Sequence, residues 1–195
     1  MNWLEVKVAT LQKMFAAEGN EIPDDGSADD YLAAMPQAAN EALNMLATAG
    51  RFFIKSYVIN HDATGDTQKY DMNALVNDFY EVDRIYFENG TSYGEFSRYR
   101  MENGKIVLYG CPSGTYTVYY RAYPEWITKD TADEYTIELP PEVAVLLPLY
   151  MASQLYKDDD AAIATSYRNE WEVAFERLRN IDNSDAEFTS ESGWI

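Results

Sequence analysis

Hydrophobic positions near the start of the chain recur at helical spacing. The first stripe, with steps of four, three and four residues, consists of Leu4, Val8, Leu11 and Phe15. A second apolar face follows and ends at Gly50, a residue type that commonly terminates helices. Ser27 and Asp30 form a variant of the capping box, which predicts that the second helix begins at about Ala28. The N-terminal segment is therefore predicted to be a helix pair, with a kink or a break at Pro36.

The pattern changes after Gly50 to runs of aromatic and β-branched residues. Asn-Gly occurs at 89 and 90 and again at 103 and 104, and this dipeptide between such runs is typical of a hairpin turn. Between 106 and 121 the side chains alternate with a period of two, as in antiparallel strands with two distinct faces. We predict a β-meander of four to six strands here.

Helical spacing returns after Pro140 and Pro141, which suit the first turn of a helix. Its apolar face comprises Val143, Leu146, Leu147, Tyr150, Met151 and Leu155. Pro148 is predicted to bend this helix. Asp158 or Asp159 is predicted to end it, and Asp160 is predicted to cap the N-terminus of a second helix. Beyond Ile181 the chain is polar and acidic, which favours an extended tail.

The order of these elements predicts an α+β fold. In this prediction, N- and C-terminal helix pairs form a helical bundle, which carries a central antiparallel β insertion and an extended C-terminal tail. The predicted domains are residues 1–50 and 140–181 for the bundle, 51–139 for the β-rich insertion and 182–195 for the tail.

The net charge of −18 changes the range of functions to consider. It argues against an outer surface that grips phosphate backbones, while acidic walls would let DNA pass without sticking. Solubility alone is also a sufficient account of the acidity. Cys111 is the one cysteine, so no intrachain disulfide is expected, and the N-terminus lacks a signal-peptide pattern. No apolar run approaches the roughly 20 residues that span a bilayer. We expect a protein of the reducing cytosol without a membrane segment.

Candidate chemistry is sparse. His61 lies beside Asp62 in a polar stretch and is interpreted as a solvated loop residue, because catalysis would need further partners. Cys111 is interpreted as a semi-buried turn cysteine. The acidic runs lack the ligand spacing of a calcium loop and are better explained as helix caps. No catalytic residue, cofactor or metal site is predicted, and the protein is not expected to be an enzyme.

Tyrosines are concentrated in the predicted strands, and tyrosine is favoured at interfaces. The strand tyrosines are Tyr109, Tyr116, Tyr119, Tyr120 and Tyr123. They could form a sugar- or protein-binding face, or the two sides of a small sheet that is covered by a neighbouring subunit. Tyr116, Tyr119 and Tyr120 are the candidate subunit contacts.

Three stretches carry a resemblance to a known family. They are ADDYLAAMPQAANEALNMLATAGRFFIKSYVI, YDMNALVNDFYEVDRIYF before the Asn-Gly hairpins, and LPPEVAVLLPLYMASQLYKDDDAAIATSYRNEWEVAFERL. In element order and texture the chain resembles the tailed-bacteriophage head-to-tail adaptor (connector) proteins. The β region is larger than the single hairpin of many long-tailed-phage adaptors and is closer to the expanded adaptors of short-tailed phages.

The resemblance implies a virion protein, assembled in the host bacterial cytoplasm, that forms a ring of commonly twelve subunits in the head-tail neck. Its implied partners are the portal protein, further copies of itself and a tail or nozzle protein, while DNA passes without specific binding. The docking segment would be 180–195, with Phe188, Trp194 and Ile195 as apolar anchors on the portal. The alternatives are a small tail-completion module or a carbohydrate- or protein-binding module with a tyrosine-rich sheet, and, more remotely, a carboxylate-based cell-wall hydrolase.

Overall fold

A computed structural model describes residues 1–14, 19, 21–50, 52–62 and 67–185, with no description of the side chains of 181–185. The helices are α1 (Trp3–Lys13), α2 (Asp29–Thr48), α3 (Met72–Leu75), α4 (Pro141–Ala144), α5 (Leu146–Leu155) and α6 (Ala161–Asp185). The strands are β1 (Ile54–His61), β2 (Gln68–Asp71), β3 (Phe79–Glu88), β4 (Tyr93–Glu95), β5 (Arg100–Glu102), β6 (Lys105–Leu108) and β7 (Gly114–Ala122). The chain divides into a helical unit, Met1–Phe52 with Trp126–Ile195, and a β unit, Phe53–Glu125.

Helix α5 is the centre of the helical unit, where it packs against α1, α2 and α6. Leu147 and Met151 are completely buried, and Pro148 and Ser153 on other sides of the helix are buried as well. A helix that is apolar all round is stable only when other elements cover it on several sides. The sequence LLPLYMASQL therefore explains why three helices surround this one.

The predicted bundle of an N-terminal and a C-terminal helix pair is wrong. Both α1 and α2 have α5 as their main helical partner, so they do not form a pair that packs as one body. In addition, the described residues contain two antiparallel sheets with seven strands, and much of the buried core lies in those sheets. The fold is α+β with a sheet-rich core. The prediction failed because it treated each helix as having one apolar face, whereas α5 is apolar on all of its sides.

The structure has one helix cap that was not predicted, at Asn2, and of the two predicted caps one is absent and one is present. Asn2 caps α1 in a capping box with Glu5, and both reciprocal bonds measure 2.8 Å. The cap predicted at Ser27 is absent, because the Ser27 hydroxyl donates a hydrogen bond to Asp25 and α2 has no side-chain cap. The predicted cap at Asp160 is confirmed, since its Oδ1 accepts from the backbone N–H groups of the residues at 162 and 163 at 2.9 and 3.1 Å.

The β unit contains a four-stranded sheet in the order β1-β7-β3-β4 and a three-stranded sheet in the order β2-β6-β5. Both predicted Asn-Gly turns are confirmed, between β3 and β4 and between β5 and β6. Asn103 and Gly104 both adopt positive φ, at 50° and 76°, as a two-residue hairpin turn requires. The two sheets are linked at His61 of β1, whose Nδ1 lies 2.9 Å from the Tyr70 hydroxyl of β2.

Several apolar side chains of the β unit are almost completely buried. They are Ile59, Met72, Ile85, Ile106, Leu108, Tyr116 and Val118. Residues 182–185, at the start of the predicted tail, belong to α6, and residues 186–195 lie outside the described part of the chain. Among the described residues, none of the helices has the length and apolar character that a bilayer crossing requires.

Candidate interaction surface

Strand β7 places the three predicted contact tyrosines on different faces of the four-stranded sheet. Tyr116 and Tyr120 are 1% and 3% exposed, so their rings belong to the interior of the β unit. Tyr119 lies on the opposite face and is half-buried. The prediction grouped residues of one sequence run, whereas the alternation of side chains along a strand divides them. The assignment of Tyr116 and Tyr120 to a subunit contact remains a prediction that their burial does not favour.

The two buried tyrosines have raised pKa values. Burial raises the pKa of Tyr116 to about 12, and its hydroxyl donates to the Pro112 carbonyl at 2.9 Å. Burial also raises the pKa of Tyr120 to about 12, with a further contribution from the hydrogen bond to Asp78, whose Oδ1 lies 3.0 Å away. Both phenols are therefore neutral throughout the physiological range, and their role is in packing and local hydrogen bonding.

Tyr119 belongs to an open aromatic surface. Tyr86 stacks on Tyr93 with ring centroids 5.5 Å apart, and Tyr119 meets Tyr86 edge to face at 5.8 Å. Strand register places Thr117 between Val58 of β1 and Tyr86 of β3. Tyr93 is 72% exposed and Val58 is 51% exposed. We name this surface the tyrosine face and define it as Val58, Tyr86, Tyr93, Thr117 and Tyr119.

Charged residues border the tyrosine face on β3 and β7. The Arg121 guanidinium contacts Glu81 at 2.8 Å and Asp83 at 3.3 Å. Arg84 also contacts Asp83, at 2.7 Å. Arg121 has a side chain that is only 12% exposed, so this network is better shielded from solvent than an ordinary surface pair. The ion pairs leave an aromatic and aliphatic patch with a charged border, which is the composition of a protein-binding surface.

Tyr86 and Tyr93 were missed as candidates in the sequence. Tyr86 was placed in a predicted strand, but the run alone does not tell which β3 residues lie opposite Thr117 and Tyr119. The bulges in the pairing of β3 with β7, near Glu81 and near Asp83, shift the register and so decide which residues share a face. The register could have been guessed only from the turn positions, and a bulge invalidates such a guess.

The remaining candidates have structural surroundings. His61 is buried rather than solvated, because β1 extends to it and the rings of Tyr70 and Tyr116 pack against it. Cys111 was predicted to be semi-buried in a turn and is buried, with its Sγ 3.6 Å from the carbonyl oxygens of Arg98 and Tyr109. No group of three potential metal ligands occurs within the described residues. The predicted portal anchors Phe188, Trp194 and Ile195 lie outside the described residues.

Comparison with protein families identifies the class as a structural protein of the bacteriophage virion, a head-tail connector. The chain belongs to the SU10 adaptor protein family, whose model matches residues 1–191. A search of curated proteins returns no match. The predicted resemblance to phage head-to-tail adaptors is thereby confirmed. Membership implies a component of the virion neck that interacts with portal and tail proteins, and it indicates a structural rather than an enzymatic role.

Proposed function

We propose that this chain forms the adaptor ring that joins the phage portal to the tail and lets DNA pass through an acidic channel. The observation that carries the proposal is the family match over residues 1–191, because it spans both the helical unit and the β unit. The ring has twelve copies and is assembled in the cytoplasm of the bacterial host. It acts by binding and not by chemistry.

The distribution of charge supports a channel that does not hold DNA. Residues 1–52 and 126–195 contain 23 acidic and 8 basic residues, whereas residues 53–125 contain 10 acidic and 7 basic residues. The helical unit thus carries a charge of −15 out of the total of −18. An acidic wall repels phosphate and does not supply the cationic side chains that would displace the counterions condensed on DNA. We therefore assign the channel lining to the helical unit.

Docking on the portal is assigned to the C-terminal segment. Phe188, Trp194 and Ile195 are large apolar residues in an otherwise polar and acidic stretch. Aromatic anchors of this kind commonly supply most of the binding energy of an interface. Contacts between adjacent copies are assigned to the tyrosine face, through Tyr119 together with Tyr86 and Tyr93.

Substitutions in the C-terminal segment test this proposal. The variant F188S/W194S/I195S loses its apolar anchors, and we expect its affinity for the purified portal protein to fall at least 30-fold, which corresponds to the loss of one or more hot spots. The control T189A/S190A/S192A changes three polar residues of the same segment and should bind as the wild type does. Binding is measured by surface plasmon resonance. Equal affinity of the anchor variant and the wild type would remove the docking assignment.

A further inference from the structure

The β unit carries a groove of about 530 Å³ beside β5 and β6. Its walls include Arg98, Tyr99, Arg100, Glu102, Val107 and Tyr109. Tyr109 is 80% exposed although it is aromatic. We name this feature the cationic groove. It lies on the three-stranded sheet and is separate from the tyrosine face, which belongs to the four-stranded sheet.

The charges around the cationic groove do not cancel. Two ion pairs cross the three-stranded sheet, Lys69 with Glu102 at 2.7 Å and Lys105 with Asp71 at 3.2 Å. Arg98 and Arg100 are exposed, and neither forms an ion pair with a carboxylate of the described residues. Arg98 only approaches the ring of Phe96, at 5.9 Å from its centroid. Two lysines and two arginines against these two carboxylates give +2. Glu81, Asp83 and Glu95 also act electrostatically on Tyr99; Arg121 and Arg84 pair with the first two, and Glu95 lowers the local charge to +1 in a chain of −18.

The titration of Glu102 reflects this local potential. The hydrogen bond from Lys69 lowers the pKa of Glu102, and the charges of Lys69 and Arg100 lower it further. Arg100 therefore already acts on a carboxylate at the edge of the groove. A guanidinium presents several N–H donors in a plane that matches a carboxylate, so two unpaired arginines favour an acidic ligand.

The helical unit carries a surface with the opposite charge. Two of its acidic segments meet where the Tyr31 hydroxyl donates to Asp159 at 2.5 Å, because this bond joins the start of α2 to the turn between α5 and α6. The carboxylates of this acidic end are all exposed, and they are Asp24, Asp25, Asp29, Asp30, Asp158 and Asp159. Lys157 is the base next to them in the chain, and its amine contacts the Gln154 side chain.

We propose that the cationic groove of one copy binds the acidic end of a second copy. A closed ring of identical subunits requires two different surfaces that are complementary to each other, and these two surfaces are complementary in charge. Copies with a charge of −18 repel one another, so a contact that joins them must offset that repulsion locally. Tyr109 adds aromatic contact area beside the arginines. The inference rests on the proposed ring and specifies one of its contacts.

Charge reversal on each surface tests this contact. The variant R98E/R100E makes the groove negative, and the variant D24K/D29K/D30K/D158K changes the six carboxylates of the acidic end from −6 to +2, while Asp25 and Asp159 keep their hydrogen bonds. We expect each variant alone to lose ring formation on the portal protein, because its groove or its acidic end now meets a like charge. A 1:1 mixture of the two variants should recover rings, because the two kinds of subunit can alternate with every contact attractive. Recovery also demonstrates that both variants are folded.

The control K129E/R177E makes the same change in net charge as R98E/R100E, but at exposed positions of the helical unit, and it should form rings as the wild type does. Rings are scored by negative-stain electron microscopy. Rings formed by R98E/R100E alone, or no rings in the mixture, would overturn the proposed contact and leave the ring itself standing. Wild-type protein that forms no rings on the portal would instead overturn the ring, and the contact with it. Loss of duplex-DNA binding with unchanged rings in R98E/R100E would assign the groove to phosphate and also overturn the contact.

Discussion

Asn40 is a polar side chain buried inside the helical unit. Its Nδ2 donates to the Ile127 carbonyl at 2.7 Å, and its Oδ1 accepts from the Ile127 N–H at 2.9 Å. One amide thus satisfies both backbone groups of a buried residue in a segment without regular secondary structure. Buried backbone groups are costly when they have no partner, so this pair of bonds fixes Trp126–Ile127 against α2.

Replacement of Asn40 by alanine tests the importance of this pair. Two buried backbone groups lose their partner, and we expect Asn40→Ala to lower the free energy of unfolding by about 2–4 kcal/mol. The matched control is Asn44→Ala, one turn later on the exposed side of α2, where the change should stay within about 0.5 kcal/mol. Urea denaturation followed by circular dichroism measures both. A similar small effect at the two positions would contradict the assigned role of Asn40.

Tyr116 and Tyr120 predict how stability changes at alkaline pH. Their pKa values are about 12 in the folded protein, against about 10 for an unfolded tyrosine. Between these values the folded state binds more protons than the unfolded state, so stability is complete below pH 10 and falls as the pH rises toward 12. We expect the free energy of unfolding of Tyr116→Phe to fall less steeply with pH in this window than that of the wild type. Tyr93→Phe, at an exposed ring, should leave the slope unchanged, as measured by urea denaturation at several pH values.

At the scale of single residues, the sequence predicted the features that depend on residues close by along the chain. The Asp160 cap is such a local feature, and its prediction is confirmed, whereas Cys111 is more deeply buried than the semi-buried position predicted for it. His61 was misinterpreted because its partners Tyr70 and Tyr116 come from two other strands. Nothing in the run around His61 indicates that two rings approach it once the strands pair.

Substitutions of two aspartates between α5 and α6, Asp158 and Asp160, should have different effects on stability. Asp160→Ala removes the acceptor of two backbone N–H groups at the start of α6, and we expect a loss of about 1 kcal/mol in the free energy of unfolding. Asp158 is exposed and makes no such bonds, so Asp158→Ala should change stability by less than about 0.5 kcal/mol. Thermal denaturation measures both variants. Equal losses at the two positions would contradict a capping role that is specific to Asp160.

The two prolines within helices differ in position and predict opposite results. Pro36 lies in the interior of α2, where the missing N–H removes a helical hydrogen bond, so Pro36→Ala should raise the free energy of unfolding by about 1–3 kcal/mol. Pro148 was predicted to bend one continuous helix. In the structure, the helix is interrupted at Val145 and Pro148 lies in the first turn of α5, where no donor is needed.

Pro148→Ala should therefore give no gain in stability. Because alanine leaves the unfolded chain more conformational freedom, the free energy of unfolding should fall by about 0.4–1 kcal/mol. Chemical denaturation of the two single variants compares the positions directly. A gain in stability at Pro148 that matches the gain at Pro36 would indicate that Pro148 is an interior proline.

At the scale of elements, most helices and hairpins could be predicted, and their packing could not. The Asn-Gly turns require positive φ, which few residues other than glycine and asparagine accept, so their positions were readable from the sequence. The bundle failed because α5, apolar on all sides, needs several partners, and the sequence does not say which helices supply them. The register of β3 could not be predicted for a similar reason, because its bulges depend on packing against β7.

At the scale of the whole molecule, the family could be recognised from the order and texture of elements over nearly the full chain. The open sites could not be recognised in the same way. The tyrosine face requires four strands in one register, and the cationic groove requires two arginines to be left over after neighbouring lysines pair with carboxylates. Such surfaces depend on what remains unpaired after folding, which is a property of the three-dimensional structure.

The central claim is that the chain forms a ring on the portal protein. Electron microscopy of the chain with the purified portal, beside the chain alone, tests it most directly. We predict rings with twelve adaptor copies on the portal, and their class averages should show the adaptor on the face of the portal that receives the tail. Persistent monomers in both samples, or single copies bound without contact to one another, would contradict the account.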